Sequence, residues 1–158
     1  MEPRFVTRGA FTVVGLKCRT TMENNIIPAL WDDFGQRSQE LAPIAVNRCC
    51  YGVCFNEETN DPAQKDYFSY LAGMEVASTQ SLPNGMEARE LPAADYAVFE
   101  HRGPLNNLQE TYHAIYHDWL PNSAYAMFGS QDFELYDQRF KFNDPASIFE
   151  IWVPIQKK

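Results

Sequence analysis

Apolar and polar positions alternate through Asp132-Phe133-Glu134-Leu135-Tyr136, the period of a β-strand. The closing run Ser147-Ile148-Phe149-Glu150-Ile151-Trp152-Val153-Pro154-Ile155 is denser in apolar and β-branched residues, as a well-buried strand would be. Earlier in the chain, after a short polar lead-in at 1–8, Phe-Thr-Val-Val-Gly-Leu-Lys-Cys predicts a strand over 10–19, stopped by Thr20-Thr21. Asn24 and Asn25 are N-cap residues for a helix running to about 34, with Pro28 in the first turn, where a missing N–H is tolerated. Its apolar stripe is Ile26, Ile27, Leu30, Trp31 and Phe34, with Asp32, Asp33 and Gln36 opposite and Gly35 as a stop signal. The segment 36–47 mixes helix formers with Pro43. Strands over 50–56 and 66–78, joined by a polar turn at 57–65, complete a β-α-β-β unit.

Leu82-Pro83-Asn84-Gly85 punctuates the chain, and the same order of elements then returns. Strands are predicted over 86–91 and 94–101, followed by an Arg102-Gly103-Pro104 turn and a helix over 105–120. The apolar residues of that helix, Leu105, Leu108, Tyr112, Ile115 and Trp119, recur on one helical face. Pro121-Asn122-Ser123 ends it, and strands over 132–139 and 147–156 flank a turn at Asn143-Asp144-Pro145. The pattern predicts an α+β fold from duplicated β-α-β-β units, half-units at about 8–78 and 86–156 of one domain spanning 1–158. A mainly antiparallel sheet would carry two main helices, with a ligand pocket between helices and sheet.

Aromatic residues make up 14% of the 158 residues, which suits a core or cleft built from rings. The net charge of −8 argues against non-specific binding to nucleic acid, whose phosphates demand a basic face. No run approaches the ~20 apolar residues of a membrane span, and the N-terminus lacks a signal-peptide pattern, so a cytoplasmic protein is expected. Cys18, Cys49, Cys50 and Cys54 match no zinc spacing and read as buried thiols.

Parity leaves Glu134 two places to be. Among aromatic side chains, a carboxylate is costly unless a proton or a cation accompanies it. On a half-solvated strand it would face water. Glu150 lies opposite Phe149 and Ile151 and is expected in solvent. His113 and His117, four apart, can reach one metal in principle, but they point away from the apolar stripe and read as a solvated face. His101, at a strand end, has no assigned role. The sequence shows no phosphate loop, no nucleophile elbow and no metal-ligand set, and no cofactor is expected. Trp31, Tyr51, Phe55, Tyr112, Tyr136 and Phe149 are core by default. Rings together with an acid are nevertheless the chemistry that holds a lipophilic cation.

The run Leu91-Pro92-Ala93-Ala94-Asp95-Tyr96-Ala97-Val98-Phe99, then His101-Arg102-Gly103-Pro104 and Asp118-Trp119-Leu120-Pro121, resembles the gyrase-inhibitor-like multidrug effector-binding domain family. Phe133-Glu134-Leu135-Tyr136 and Phe149 to Ile155 continue the resemblance. In the first half, Ile27-Pro28-Ala29-Leu30-Trp31-Asp32-Asp33-Phe34 and Cys50-Tyr51-Gly52-Val53 fit the same family. Each motif is short, and the specificity lies in their succession along nearly the whole chain.

This family forms the ligand-binding part of bacterial transcription regulators of the AraC and MerR types. The resemblance implies an aromatic pocket with one glutamate at its floor that pairs with cationic, lipophilic drugs. That glutamate falls on Glu134 and a pocket tyrosine on Tyr51. Tyr136 shares the strand face of Glu134, Phe149 falls on the pocket side of the last strand, and Trp31 and Ile27 lie on the first helix, which lids the cavity in relatives. Trp152, of opposite parity, reads as structural. The regulators carry a helix-turn-helix module, whereas only a few residues precede the first predicted strand here, so direct nucleic-acid binding is not expected. The reading is a binder of bulky lipophilic cations rather than an enzyme. The alternatives are a hydrolase of strained cyclopropane-bearing toxins using the same glutamate, and a gyrase-inhibitor-like module acting on an unidentified protein partner.

Overall fold

Val14, Leu16 and Cys18 take alternate positions along β2 (Phe11–Thr20), and the stripe of Leu30 and Phe34 on α1 (Ile27–Arg37) closes over them. This is the core of the first of two compact units in a computed structural model that describes residues 1–158. The N-terminal unit comprises Ala10–Pro92, and the C-terminal unit joins Met1–Gly9 to Ala93–Lys158.

In the N-terminal unit, β4 (Phe68–Val76) lies between β2 and β3 (Cys50–Phe55), and β5 (Glu87–Leu91) pairs with the other side of β2, all antiparallel. Asn25 caps the entry to α1, its Oδ1 accepting the Ile27 N–H at 2.9 Å. Gly35 does not stop α1, which continues to Arg37, where the guanidinium is held by Glu40 and the Asn84 carbonyl. Gly15 and Gly73 face each other across β2 and β4. A Cβ on Gly15 would lie 1.9 Å from the Ala72 carbonyl oxygen, so only glycine lets these backbones meet.

Cys18, Cys50 and Cys54 pack against the α1-side core. Burial pushes the Cys18 and Cys50 thiols above their ordinary range. We expect both to be alkylated by iodoacetamide at least about tenfold more slowly in the native protein than in urea, read by mass spectrometry. Equal rates would show that these thiols are open to solvent.

The C-terminal unit repeats the plan. Its β9 (Ile148–Lys157) lies between β6 (Ala94–Arg102) and β8 (Gln131–Tyr136), with a short β7 (Tyr125–Met127) also on β9. The helix between β6 and β8 starts as α2 (Leu108–His113), widens to π geometry over Ala114–Trp119 and ends in an α turn at Leu120–Asn122. Ile115 is fully buried beneath it, against Phe149, Ile151 and Val153.

Two short strands were not anticipated. The expected polar lead-in contains β1 (Arg4–Arg8), paired with β6 over Arg4↔Val98 to Arg8↔Ala94, so those residues belong with the second half of the chain. Arg4 and Arg8 flank Val6 on one face and cover Glu150 and the Phe133 and Trp152 rings, so the strand reads as polar in a local pattern. The three-residue β7 is too short to show a strand period. With the seven predicted strands these make nine, and the architecture is otherwise as predicted: α+β, mainly antiparallel, with two main helices.

Candidate functional site

Register decides where Glu134 points. Glu134 pairs with Ile151, and Ile151 belongs to the face of β9 covered by α2, so the carboxylate stands under the helix rather than in water. Only 4% of the residue is exposed. Both oxygens accept phenolic hydrogen bonds: Tyr112 donates to Oε2 at 2.7 Å, and Tyr136 donates to Oε1 at 3.0 Å. Tyr136 in turn stacks on Phe149 with centroids 4.6 Å apart, and Phe140 meets both rings edge-on. The carboxylate is therefore buried beside aromatic faces, with two phenols donating to it.

Asp132, two residues earlier and on the same face of β8, is also buried, and the Tyr116 hydroxyl donates to its Oδ2. Two strand residues span ~6.6 Å and one helical turn of four residues ~6 Å, so a Tyr-x-x-x-Tyr helix and an Asp-x-Glu strand match in pitch. The Tyr112 and Tyr116 rings lie parallel to within 7°, centroids 6.3 Å apart. The π-helical stretch begins between them and widens the turn, which brings Tyr116 inward although it lies outside the predicted stripe. Tyr112, Tyr116 and Tyr136 are only part-buried, so the acids are covered by rings that themselves reach the surface.

His101, buried to 1% exposure, ties this helix to the sheet. Its Nδ1 lies 2.8 Å from the Thr111 hydroxyl and its Nε2 3.0 Å from the Pro104 carbonyl, and its ring packs on Phe149. Because a carbonyl only accepts, Nε2 carries the proton and Nδ1 accepts from Thr111. Thr111 immediately precedes Tyr112.

The opposite face of the same strands is ionic and aromatic. Glu150 has the parity expected from its sequence, but that face is not solvent. Arg4 and Arg139 donate to Glu150 Oε1 at 2.9 and 2.8 Å, the Trp152 indole donates to Oε2 at 2.7 Å, and the residue is 4% exposed. The covering charges come from β1 and from the loop after β8, neither visible in the local pattern around Glu150. Trp152 stacks on Phe133 with centroids 5.2 Å apart, on the face away from Glu134.

Of the six residues proposed for the pocket, the C-terminal unit brings together Glu134, Tyr136 and Phe149. The N-terminal unit separates the other three. Tyr51 lies on the face of its sheet turned away from α1, against Phe11, with its hydroxyl donating to Glu75 Oε1 at 2.9 Å. Trp31 and Ile27 lie on the α1 side, where the Trp31 indole donates to the Tyr70 hydroxyl at 3.1 Å. Asp132 and Tyr116 were not singled out from the sequence, and Tyr112 entered only within the aromatic set that is core by default. Their spacings along helix and strand were the available signal. His113 and His117 stack on each other at 4.6 Å on the exposed side of the helix, as predicted. Two open surface clefts lie elsewhere. One, of about 420 Å³, is bordered by Asn56, Glu57, Asp61 and Tyr67, and the other, of about 330 Å³, by Arg4, Glu100 and Arg102.

The chain is 35% identical over 156 residues to the transcriptional regulator BrlR of Pseudomonas aeruginosa, covering 98% of this chain and 56% of that protein, so it spans little more than half of that relative. It is 29% identical to the YobU protein of Bacillus subtilis, over 90% of this chain and 91% of that one. Among solved structures it is similar in fold to SAV2435 bound to tetraphenylphosphonium, with a TM-score of 0.79 at 20% identity, covering 99% of this chain and 94% of that one. Residues 1–156 match the pattern of GyrI-like small molecule binding domains, and the chain belongs to that family.

Proposed function

We propose that this domain binds bulky lipophilic cations, with Glu134 as the charge that selects them and Tyr112, Tyr136 and Phe149 as the aromatic walls. The observation that carries the reading is a carboxylate buried to 4% exposure, accepting from two phenols and standing beside the Tyr136–Phe149–Phe140 ring cluster. Phenols are neutral, and they can turn to admit a ligand's charge. Flat rings then contribute most of the affinity through burial and cation–π contact. The ligand named for the SAV2435 structure, tetraphenylphosphonium, is of this class and supports the choice.

Titration of the domain with rhodamine 6G, followed by fluorescence anisotropy, should give saturable binding with a Kd on the order of 10 μM or below. Tetraphenylphosphonium should compete for it far more strongly than the neutral triphenylphosphine oxide. Absence of saturable binding by the folded protein, or equal competition by both compounds, rejects the reading.

A second reading has the same geometry behind it. Tyr112 within 2.7 Å of Glu134 is a hydroxyl–carboxylate pair able to move a proton, as a hydrolase would require. Consumption of an electrophilic cyclopropane-bearing substrate, lost in Glu134→Ala, would favour turnover over sequestration.

A further inference from the structure

We propose that His101 is a positioning residue of this site: through Thr111 it sets the turn of α2 that presents Tyr112 to Glu134, and with it the preference for cations. The proposal rests on the cation-binding reading of Glu134 and adds the device that fixes its geometry. The run His101-Arg102-Gly103-Pro104 leads from β6 into the helix. Gly103 turns the chain at φ 95°, a conformation that suits glycine, and its N–H donates to the Ser147 carbonyl at 2.8 Å. Pro104 follows in extended backbone and offers its carbonyl to His101 Nε2 at 3.0 Å. At the start of α2, Asn107 makes no side-chain cap. The 2.8 Å bond from the Thr111 hydroxyl to His101 Nδ1 instead ties this part of the helix to the sheet. One residue on, the Tyr112 hydroxyl meets Glu134 Oε2 at 2.7 Å. A slip of one residue turns a helix by about 100° and would carry that phenol away from the acid. The same imidazole also flanks a ring of the site. Because β9 lies between β6 and β8, Phe149 has His101 on one side at 4.9 Å and Tyr136 stacked on the other. His101 therefore touches one aromatic wall directly and reaches a second through a single hydrogen bond. An apolar side chain could fill the same space, but joining Pro104 to Thr111 takes a donor at one end of the ring and an acceptor at the other.

The test compares tetraphenylphosphonium with triphenylphosphine oxide by calorimetry, with circular dichroism to verify the fold of each variant. Thr111→Val nearly keeps the shape and removes the hydroxyl. It should cut the cation-to-neutral preference at least about fivefold, with the neutral compound within about twofold of wild type. Thr111→Ser returns the donor and should bring the preference back to within about twofold of wild type. His101→Phe keeps a ring against Phe149 but loses both hydrogen bonds, and should cost at least as much preference as Thr111→Val. Since the two substitutions break one shared bond, the double variant should lose no more than His101→Phe alone, to within about twofold. A folded Thr111→Val with the wild-type preference overturns the proposal, as does serine that performs no better than valine, or losses that multiply in the double variant. If His101→Phe does not fold, the valine and serine variants decide the matter by themselves. Glu134→Gln separates the two readings: if wild type shows no cation preference, or Glu134→Gln keeps it, the cation site itself is wrong. If Glu134→Gln abolishes the preference while Thr111→Val retains it, only the role of His101 falls.

Discussion

Glu134→Gln will bind tetraphenylphosphonium about thirtyfold or more weakly than wild type, a loss of roughly 2 kcal/mol or more. The substitution is close to isosteric. The glutamine carbonyl can still accept from one of Tyr112 and Tyr136, and its amide can donate to the hydroxyl oxygen of the other, so the Tyr112 bond that ties α2 to β8 and the Tyr136 bond within β8 survive in changed form. What disappears is the charge, in a place where little solvent screens it. Neutral triphenyl compounds meet the same rings and should change by less than about threefold. Calorimetry on both ligands, with far-ultraviolet circular dichroism to verify the fold, reads the contrast directly. A thirtyfold loss for cation and neutral compound alike would mean that the glutamate shapes the cavity rather than selects charge. A parallel Glu134→Ala variant removes both the charge and the acceptor, and should lose at least as much cation affinity.

The difference between what the chain's pattern reveals and what it hides follows from interaction range. Strand and helix periods are local, and they located β2 to β6, both helices and the last two strands to within a few residues. The duplication was legible because each half repeats one order of periods, and in each β-α-β-β repeat the last strand, β4 or β9, lies between the strand before the helix and the strand after it. Parity could say that Glu134 and Glu150 lie on opposite faces of their strands relative to the apolar residues, but not what covers each face. For Glu134 the cover is α2, and for Glu150 it is Arg4, 146 positions away, together with Arg139. The π-helical stretch was equally hidden. A periodicity of 3.6 residues places Tyr112 in the stripe and Tyr116 beside it, whereas the wider turn brings both onto buried acids.

Glu150 gives the second large expectation, this time in stability. Arg139→Met will destabilise the domain by about 2 kcal/mol at pH 7. Arg139 donates to Glu150 at 2.8 Å and to both oxygens of Asp137, the shortest contact being 2.9 Å. Its loss leaves the buried Glu150 carboxylate to Arg4, itself half exposed, and to the Trp152 indole. The figure lies below the ~3–5 kcal/mol cost of breaking a fully buried pair, because Arg139 is one-third exposed and one cation remains. The pH dependence has a definite sign. Hydrogen bonding by Arg139 holds the Asp137 carboxyl below its ordinary range, partly offset by burial. A depressed carboxyl pKa stabilises the fold fully above the unfolded value of about 4, and that stabilisation is lost as pH falls through the folded pKa. Urea unfolding at pH 7 and pH 3 should therefore show the gap between wild type and Arg139→Met narrowing in acid, and a constant gap would exclude Asp137 as its source. Because this network lies on the face of β9 opposite Phe149 and Glu134, Arg139→Met should bind tetraphenylphosphonium within about twofold of wild type at pH 7. A larger change in affinity would show that the two faces of the strand are coupled, with the ionic face helping to set the geometry of the aromatic one.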